Sequence, residues 1–377
     1  MSAYLGPVPG GTVQQPRLRV KAGGVALPFP VEAQVTLTNT HEAATWSVIA
    51  QMQDTDAMNA AWWSNQSDVR IEIDLSTDGT NYTNILYGIT DEVEIDINAN
   101  ELTISGRDLT ALFIDIKTAD MYQNQTASEI VTLLAKAQGL TPYATATKTP
   151  VGQYYASDHV RTSMGDLSSS ISQWDLLSYL AQSEGFDVFV QGQGLYFQPM
   201  ATSTTSTFNV QWSKVAGIPV SNVVNLQLHR SLTLAKDVSV TVQSWNSAAN
   251  RAVKATATSK ANSGKSIDPP QQYLFKKPNL TPSQAADLAN LKLAQITRHE
   301  RVISFDMAGE LSLTPRNVVR LSGTGTGFDQ LYYPDKIERS IHFEGGYTES
   351  VTARNHSPSN DIALAMGGGT QISSLGF

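Results

Sequence analysis

Apolar and polar residues alternate with a period of two through much of the first 112 residues. Leu18 and Val20 share one side of the run Arg17 to Lys21. Val31, Ala33, Val35 and Leu37 share one side of the next. Val69, Ile71 and Ile73 alternate with Arg70, Glu72 and Asp74, and Ser76-Thr77-Asp78-Gly79 supplies a turn. The cleanest alternation runs from Glu92 to Ile97. It predicts Val93, Ile95 and Ile97 facing a core, with Glu92, Glu94 and Asp96 in water. Asn98-Ala99-Asn100 then turns the chain into Leu102 and Ile104. Together these runs predict an antiparallel meander with one wet face.

The period changes between residues 113 and 205. Thr126-Ala127-Ser128-Glu129 is a capping box, followed by Ile130, Leu133, Leu134 and Ala137 at helical spacing, with Gly139 at the end. A second helix is expected from Ser172, with Asp175 completing its box, an apolar stripe of Trp174, Leu177, Leu180 and Ala181, and Gly185 closing it. Phe186, Val188 and Val190 alternate again, turn at Gly192-Gln193-Gly194, and return through Leu195 and Phe197. The prediction here is a small α+β module.

From 206 to 355 the pattern is β with one inserted helix. Val238, Val240 and Val242 alternate with Ser and Thr. The polar stretch Ala248 to Ser266 reads as a long hairpin or a loop. Thr281-Pro282-Ser283-Gln284 opens a helix with Pro at its first position. Ala285, Leu288, Ala289, Leu293 and Ile296 form its stripe. Strands resume with Ile303, Phe305 and Met307, then Ile337, Ile341 and Phe343, before a Gly345-Gly346 hairpin turn. Residues 356–377, with Gly367-Gly368-Gly369, carry no core-forming pattern and read as a flexible tail.

Composition narrows the function classes. Net charge is −8 and no Lys/Arg run is denser than Lys276-Lys277. Nucleic-acid grip needs a basic face, so specific nucleic-acid binding is not expected. There is no cysteine, which removes disulfides and thiolate metal sites. Met1 to Gly11 lacks the features of a secretion signal, and no apolar run is long enough to span a membrane. Asn65, Asn81, Asn124 and Asn279 begin Asn-x-Ser/Thr triplets, read here as chance matches.

Candidate chemistry is sparse. His41, His159, His229, His299, His342 and His356 are scattered without metal-ligand spacing. Gly323-Thr324-Gly325-Thr326-Gly327 lacks the Lys-Ser/Thr ending of a phosphate loop, and Phe328 to Tyr333 reads as a strand. Asp91, Glu92, Glu94 and Asp96 could serve a glycosidase, since carboxylates about 5–10 Å apart can do so. An amphipathic strand needs those charges on its wet face anyway. Trp62-Trp63, after a Met/Ala-rich segment Met52 to Ala61 that reads as a short helix, could stack on a sugar or pack in a core. No catalytic, cofactor-binding or metal-ligating residue is assigned, and no cofactor is expected.

Several stretches resemble one family in order and spacing. They are Pro16-Arg17-Leu18-Arg19-Val20 to Leu27-Pro28, Ile104-Ser105-Gly106-Arg107-Asp108-Leu109, and Gln125 to Val131 followed by Leu140-Thr141-Pro142. Ser172-Gln173-Trp174-Asp175-Leu176-Leu177 through Gly185, ending at Gly194-Leu195-Tyr196-Phe197, is the most distinctive. Leu313-Thr314-Pro315, Val319-x-Leu321-x-Gly323 and Tyr332-Tyr333 to Gly346-Tyr347 complete the set. The resemblance is to phage baseplate hub proteins: the late control protein D family and the hub part of the type VI secretion spike. It implies two similar β-barrel tube domains at 1–112 and 206–355, an α+β domain at 113–205 and a tail at 356–377. It further implies a homotrimer whose six barrels match a sixfold tail tube. The implied partners are tail tube protein, tape-measure protein and spike. No lysozyme-like domain or β-helical spike repeat is evident, so the spike is expected to be a separate protein.

Overall fold

The computed structural model describes residues 14–375 except 40–41, 54–56, 119–121, 123–124, 149–150, 152–170, 200–206, 233–237, 247–249, 260–270, 278–279, 298–299, 343–344 and 357–370. His41, His159, His299, Asn124, Asn279, Phe343 and Gly367 to Gly369 lie outside the described residues. The chain is mainly β, with large antiparallel sheets and an α+β part.

Seven strands come first: β1 (Arg17–Ala22), β2 (Val25–Ala26), β3 (Pro30–Thr38), β4 (Thr45–Gln51), β5 (Arg70–Ser76), β6 (Thr83–Asp96) and β7 (Glu101–Asp108). Their spatial order is β2-β1-β5-β6-β7-β4-β3, antiparallel throughout. β1 also meets β3, so the sheet curls around Val20, Val35, Trp46, Val48, Ile73 and Ile104. The helix expected over Met52 to Ala61 is instead the single turn α1 (Ala60–Trp63), capped by the Asn59 side chain. Four residues suffice there, because α1 only has to seat Trp63 in the core.

The module that follows contains α2 (Ala111–Ile114), β8 (Lys117–Thr118), α3 (Ala127–Ala137), β9 (Thr141–Ala144), β10 (Ile171–Ser172), α4 (Gln173–Glu184), β11 (Phe186–Gln191) and β12 (Gly194–Pro199). Both capping boxes form. The Thr126 amide donates to the Glu129 carboxylate at 2.7 Å and the Ser172 amide to Asp175 at 2.9 Å. Gly139 and Gly185 take φ of 72° and 70°, a left-handed conformation that costs glycine little. Phe113, Ile130, Leu134, Trp174, Leu177 and Phe197 pack between the helices and the β11–β12 hairpin. Each such side chain contributes about 1.5–3 kcal/mol by leaving water. Leu133 of the expected stripe is exposed.

The next strands are β13 (Thr207–Val215), β14 (Ile218–Ser221) and β15 (Val224–Arg230). An insertion follows: β16 (Val238–Asn246), β17 (Arg251–Ser259), β18 (Gln271–Lys276) and α5 (Pro282–Thr297). The β sequence then resumes with β19 (Arg301–Ala308), β20 (Val318–Ser322), β21 (Leu331–His342) and β22 (Gly346–His356). The inserted helix is therefore not alone. It packs Ala285, Ala289 and Leu293 onto Val238, Val240 and Val242 of its own sheet. Part of the polar stretch after Ala248 forms β17, the return strand of a hairpin with β16. The strand expected from Phe328 begins at Leu331, since residues 323–330 form the preceding loop.

The chain end also departs from expectation. β23 (Gln371–Leu375) pairs antiparallel with β17. Strand addition rests on backbone hydrogen bonds, so no apolar pattern was needed to bring it there.

The two sets of seven strands repeat one topology. The second set has the spatial order β14-β13-β20-β21-β22-β19-β15. Read in chain order, this is the permutation already found in β1 to β7. The five-strand meander is antiparallel in both, and only the flanking hairpin differs: β1 is antiparallel to β5, β13 parallel to β20. The second core, around Phe208, Ile303, Phe305, Leu321 and Tyr332, is separate from the first. The sets are not packed face to face. They join edge to edge, through β3 and β21, into one 14-stranded sheet.

Candidate assembly interface

The duplicated strands carry matched polar devices. In the first set, a bulge between Thr90 and Glu92 sets Asp91 apart from the ladder. Arg107 on β7 grips Asp91 with two hydrogen bonds, of 2.7 and 2.8 Å, and also holds Asp115. In the second set, a bulge between Pro334 and Lys336 sets Asp335 apart, and Arg354 on β22 grips it. One residue further on, buried Asp108 accepts from the Thr110 hydroxyl, from the Thr110 amide at 3.0 Å and from the amide of Ala44. Its counterpart Asn355 accepts from the Arg301 amide at 3.0 Å. Burial pushes the Asp108 carboxyl up to about 7, against the pull of those donors. The segments Ile104-Ser105-Gly106-Arg107-Asp108 and Val351-Thr352-Ala353-Arg354-Asn355 are thus equivalent. Their shared Arg and amide or acid is a trace of duplication in the sequence that side-chain periodicity does not carry.

The long strands β6 and β21 occupy equivalent places with different surroundings. β21 pairs with β22 along its length. Its other edge pairs with β20 at the start and with β3 from Lys336 to His342. β6 pairs with β7 and, as far as Arg70–Ile89, with β5. Beyond Thr90 that second edge has no strand beside it among the described residues. Here the expectation of a core-facing side holds only for Ile95, which is half-buried against the first core. Val93 is 41% exposed and Ile97 77%, because the strand runs past the end of β5 and out of the barrel. β15 presents the complementary case. One edge pairs with β19, the other with nothing among the described residues, and Val224 and Leu228 are exposed.

The residues singled out for chemistry are placed apart and occupied. Trp63 is buried and Trp62 packs edge-on against it at 4.8 Å, so the pair belongs to the first core. Glu92 and Glu94 lie exposed on the β6 extension, while Asp96 accepts from the amides of Asn98 and Ala99 and shapes the turn. In the loop from Gly323, the amides of Thr324 and Gly325 donate to Asp329 at 3.0 and 2.9 Å. A carboxylate of the chain itself thus fills the place a phosphate would take. Among the described residues no three metal-ligating side chains converge. A cleft of about 310 Å³ lies between the first sheet and the α+β module, beside Lys21, Glu72, Tyr87 and Gln138. Its charged pair, Lys21 and Glu72, is closed on itself at 2.6 Å.

No protein-family model matches the chain, and no curated protein matches it in sequence. Solved structures do match. The chain is similar to a tail protein of Neisseria meningitidis MC58 at TM-score 0.67 and 12% identity, covering 90% of this chain and 96% of that one. A 43 kDa tail protein of prophage MuSo2 from Shewanella oneidensis gives 0.64 and 13%, covering 90% and 98%. The E. coli c3393 protein, a type VI secretion component with structural similarity to the T4 tail proteins gp27 and gp5, gives 0.53 and 11%, covering 90% and 77%. The fold is therefore that of phage tail and type VI spike proteins. Within that class it matches proteins of the same size along almost their whole length.

Proposed function

We propose that this protein is a structural hub of a phage tail or related injection machine, a ring-forming assembly component and not an enzyme. The duplicated seven-strand topology carries the reading. A chain with two equivalent units can present six from three copies, and so match a sixfold tube to a threefold spike. The proposed division is 1–112 and 206–355 for the two tube domains, 113–205 for the α+β domain and 356–377 for the terminal segment. The proposed partners are further copies of this chain, tail tube protein, tape-measure protein, and spike or other baseplate proteins, at the distal end of the virion tail. The acidic balance of the chain suits a lumen through which DNA slides without being held.

The edge-to-edge joint between β3 and β21 supports this reading, because two units facing each other as a sandwich could not share a ring. A carbohydrate-binding role is disfavoured by the burial of Trp63, and a hydrolase by the exposure of Glu92 and Glu94 at a sheet edge. The test is the mass of the full chain by light scattering, followed by imaging. Three copies in a threefold ring are expected. A monomer in solution and within assembled tails overturns the proposal. Glycan binding that is lost on Trp62→Ala would establish the adhesive alternative in its place.

A further inference from the structure

The unequal surroundings of β6 and β21 assign a specific partner to an open edge. We infer that the β6 extension, from Glu92 to Asp96, pairs antiparallel with β15 of a neighbouring copy. This rests on the ring reading above and names the contact that would build the ring.

The two units hold equivalent strands in unequal surroundings. Within the chain, the far half of β21 is completed by β3, in the register Glu338 with Thr36, Arg339 with Val35 and Ser340 with Gln34. The equivalent of β21 is β6, aligned through the bulged pair Asp91 and Asp335. The equivalent of β3 is β15. Thr36 sits opposite Thr45 on β4, and His229 opposite Val302 on β19. Thr45 and Val302 correspond in turn, because they face Arg107 and Arg354. Transferring the register places Glu94 opposite His229, Val93 opposite Arg230, and Ile95 opposite Leu228.

Among the described residues the two units of one chain are joined through β3 and β21, which leaves β6 and β15 of that chain at separate edges. A second copy can bring such edges together. The two edges are complementary in kind. The β6 extension is acidic, with Glu92, Glu94 and Asp96, while β15 ends in His229 and in Arg230, which Glu300 also holds at 2.9 Å within the chain. Each edge also exposes apolar side chains, Val93 on one and Leu228 on the other, and ladder formation would cover them. An open strand edge with apolar side chains invites another strand. The contact is head-to-tail: a different strand from each copy meets at it, so it propagates around a ring and closes where the rotation permits.

The absence of cysteine makes crosslinking a clean test. Glu94→Cys with His229→Cys is built in the full chain and oxidised with diamide. Glu94→Cys with Arg230→Cys, whose side chains fall on opposite faces in the inferred register, is the comparison. Disulfide formation needs Cβ atoms about 3.5–4.5 Å apart, so a one-residue slip abolishes it. The expected product is a covalent three-chain species from the first pair and at least about tenfold less from the second, as the geometry demands. Mixing the two single variants, Glu94→Cys and His229→Cys, gives two-chain products, and neither single variant gives them alone. A threefold mass with no product at 94 and 229, or equal product from both pairs, sinks the inference and leaves the ring reading standing. A monomeric mass in solution and in assembled tails sinks both.

Discussion

Asp108→Asn tests whether the buried carboxyl of the first unit is a liability that its second-unit counterpart, Asn355, avoids. Asp108 is 8% exposed, and burial pushes its carboxyl up to about 7 from an ordinary 3.8. The sign follows from proton binding. Below pH 3.8 the folded and unfolded chains both hold the proton, and the group contributes nothing. Between 3.8 and about 7 the unfolded chain has lost it while the folded chain keeps it, so stability falls as pH rises. Above about 7 both are ionised, and the full cost is about 4 kcal/mol at 1.36 kcal/mol for each pH unit of difference. Asn cannot ionise, but it offers one acceptor oxygen where the carboxylate offers two. Of the carboxylate's three donors, the Thr110 hydroxyl and the amides of Thr110 and Ala44, losing one or two returns about 1–2 kcal/mol. Asp108→Asn is therefore expected to be more stable than the parent by about 2–3 kcal/mol at pH 8. At pH 4 it is equal or slightly weaker. Paired urea melts from pH 4 to 8 read the difference, and comparison with the parent cancels every other titrating group. Parallel profiles, or a variant weaker than the parent at pH 8, would show that the buried Asp108 carboxyl carries no such cost.

Three more perturbations probe the frame. Arg339 and Glu349 form a buried ion pair at 2.9 Å on β21 and β22, where the first unit has the apolar pair Ile95 and Leu102. Glu349→Leu alone is expected to cost about 3–5 kcal/mol by stranding a guanidinium, while Arg339→Ile with Glu349→Leu recovers most of it; a double-mutant cycle by urea unfolding measures both. Gly323 has φ of 92°, and a Cβ there would lie 2.0 Å from the Trp212 carbonyl oxygen. Gly323→Ala is expected to cost more than about 3 kcal/mol. Gly217→Ala, at φ of 84° in open space, costs about 1–2 kcal/mol, and urea unfolding of each variant against the parent compares the two. Ser172→Ala removes the cap of α4 and is expected to cost about 1 kcal/mol, with protease nicking near the α4 start as the local readout.

What the sequence determined by itself was local. The boxes at Thr126 and Ser172, the glycines at 139 and 185, and the alternation around Val240 and Phe305 each fixed an element, because capping, left-handed φ and side-chain period act over a few residues. The non-local features came from packing and strand pairing. The alternation from Glu92 to Ile97 specified an apolar face, but whether that face is covered within the chain depends on how far β5 extends beside it. The sheet under α5 needed β18 to run parallel to β16, a pairing set by distant backbone. Strand order established the repeat, since residues as different as Ile95 and Arg339 hold equivalent places and only the Arg107-Asp108 and Arg354-Asn355 pairs keep a trace of it in sequence. Hydrogen-bonded ladders define topology without regard to side-chain identity, so one arrangement of strands tolerates two dissimilar sequences, and a strand's edge partner is written into neither.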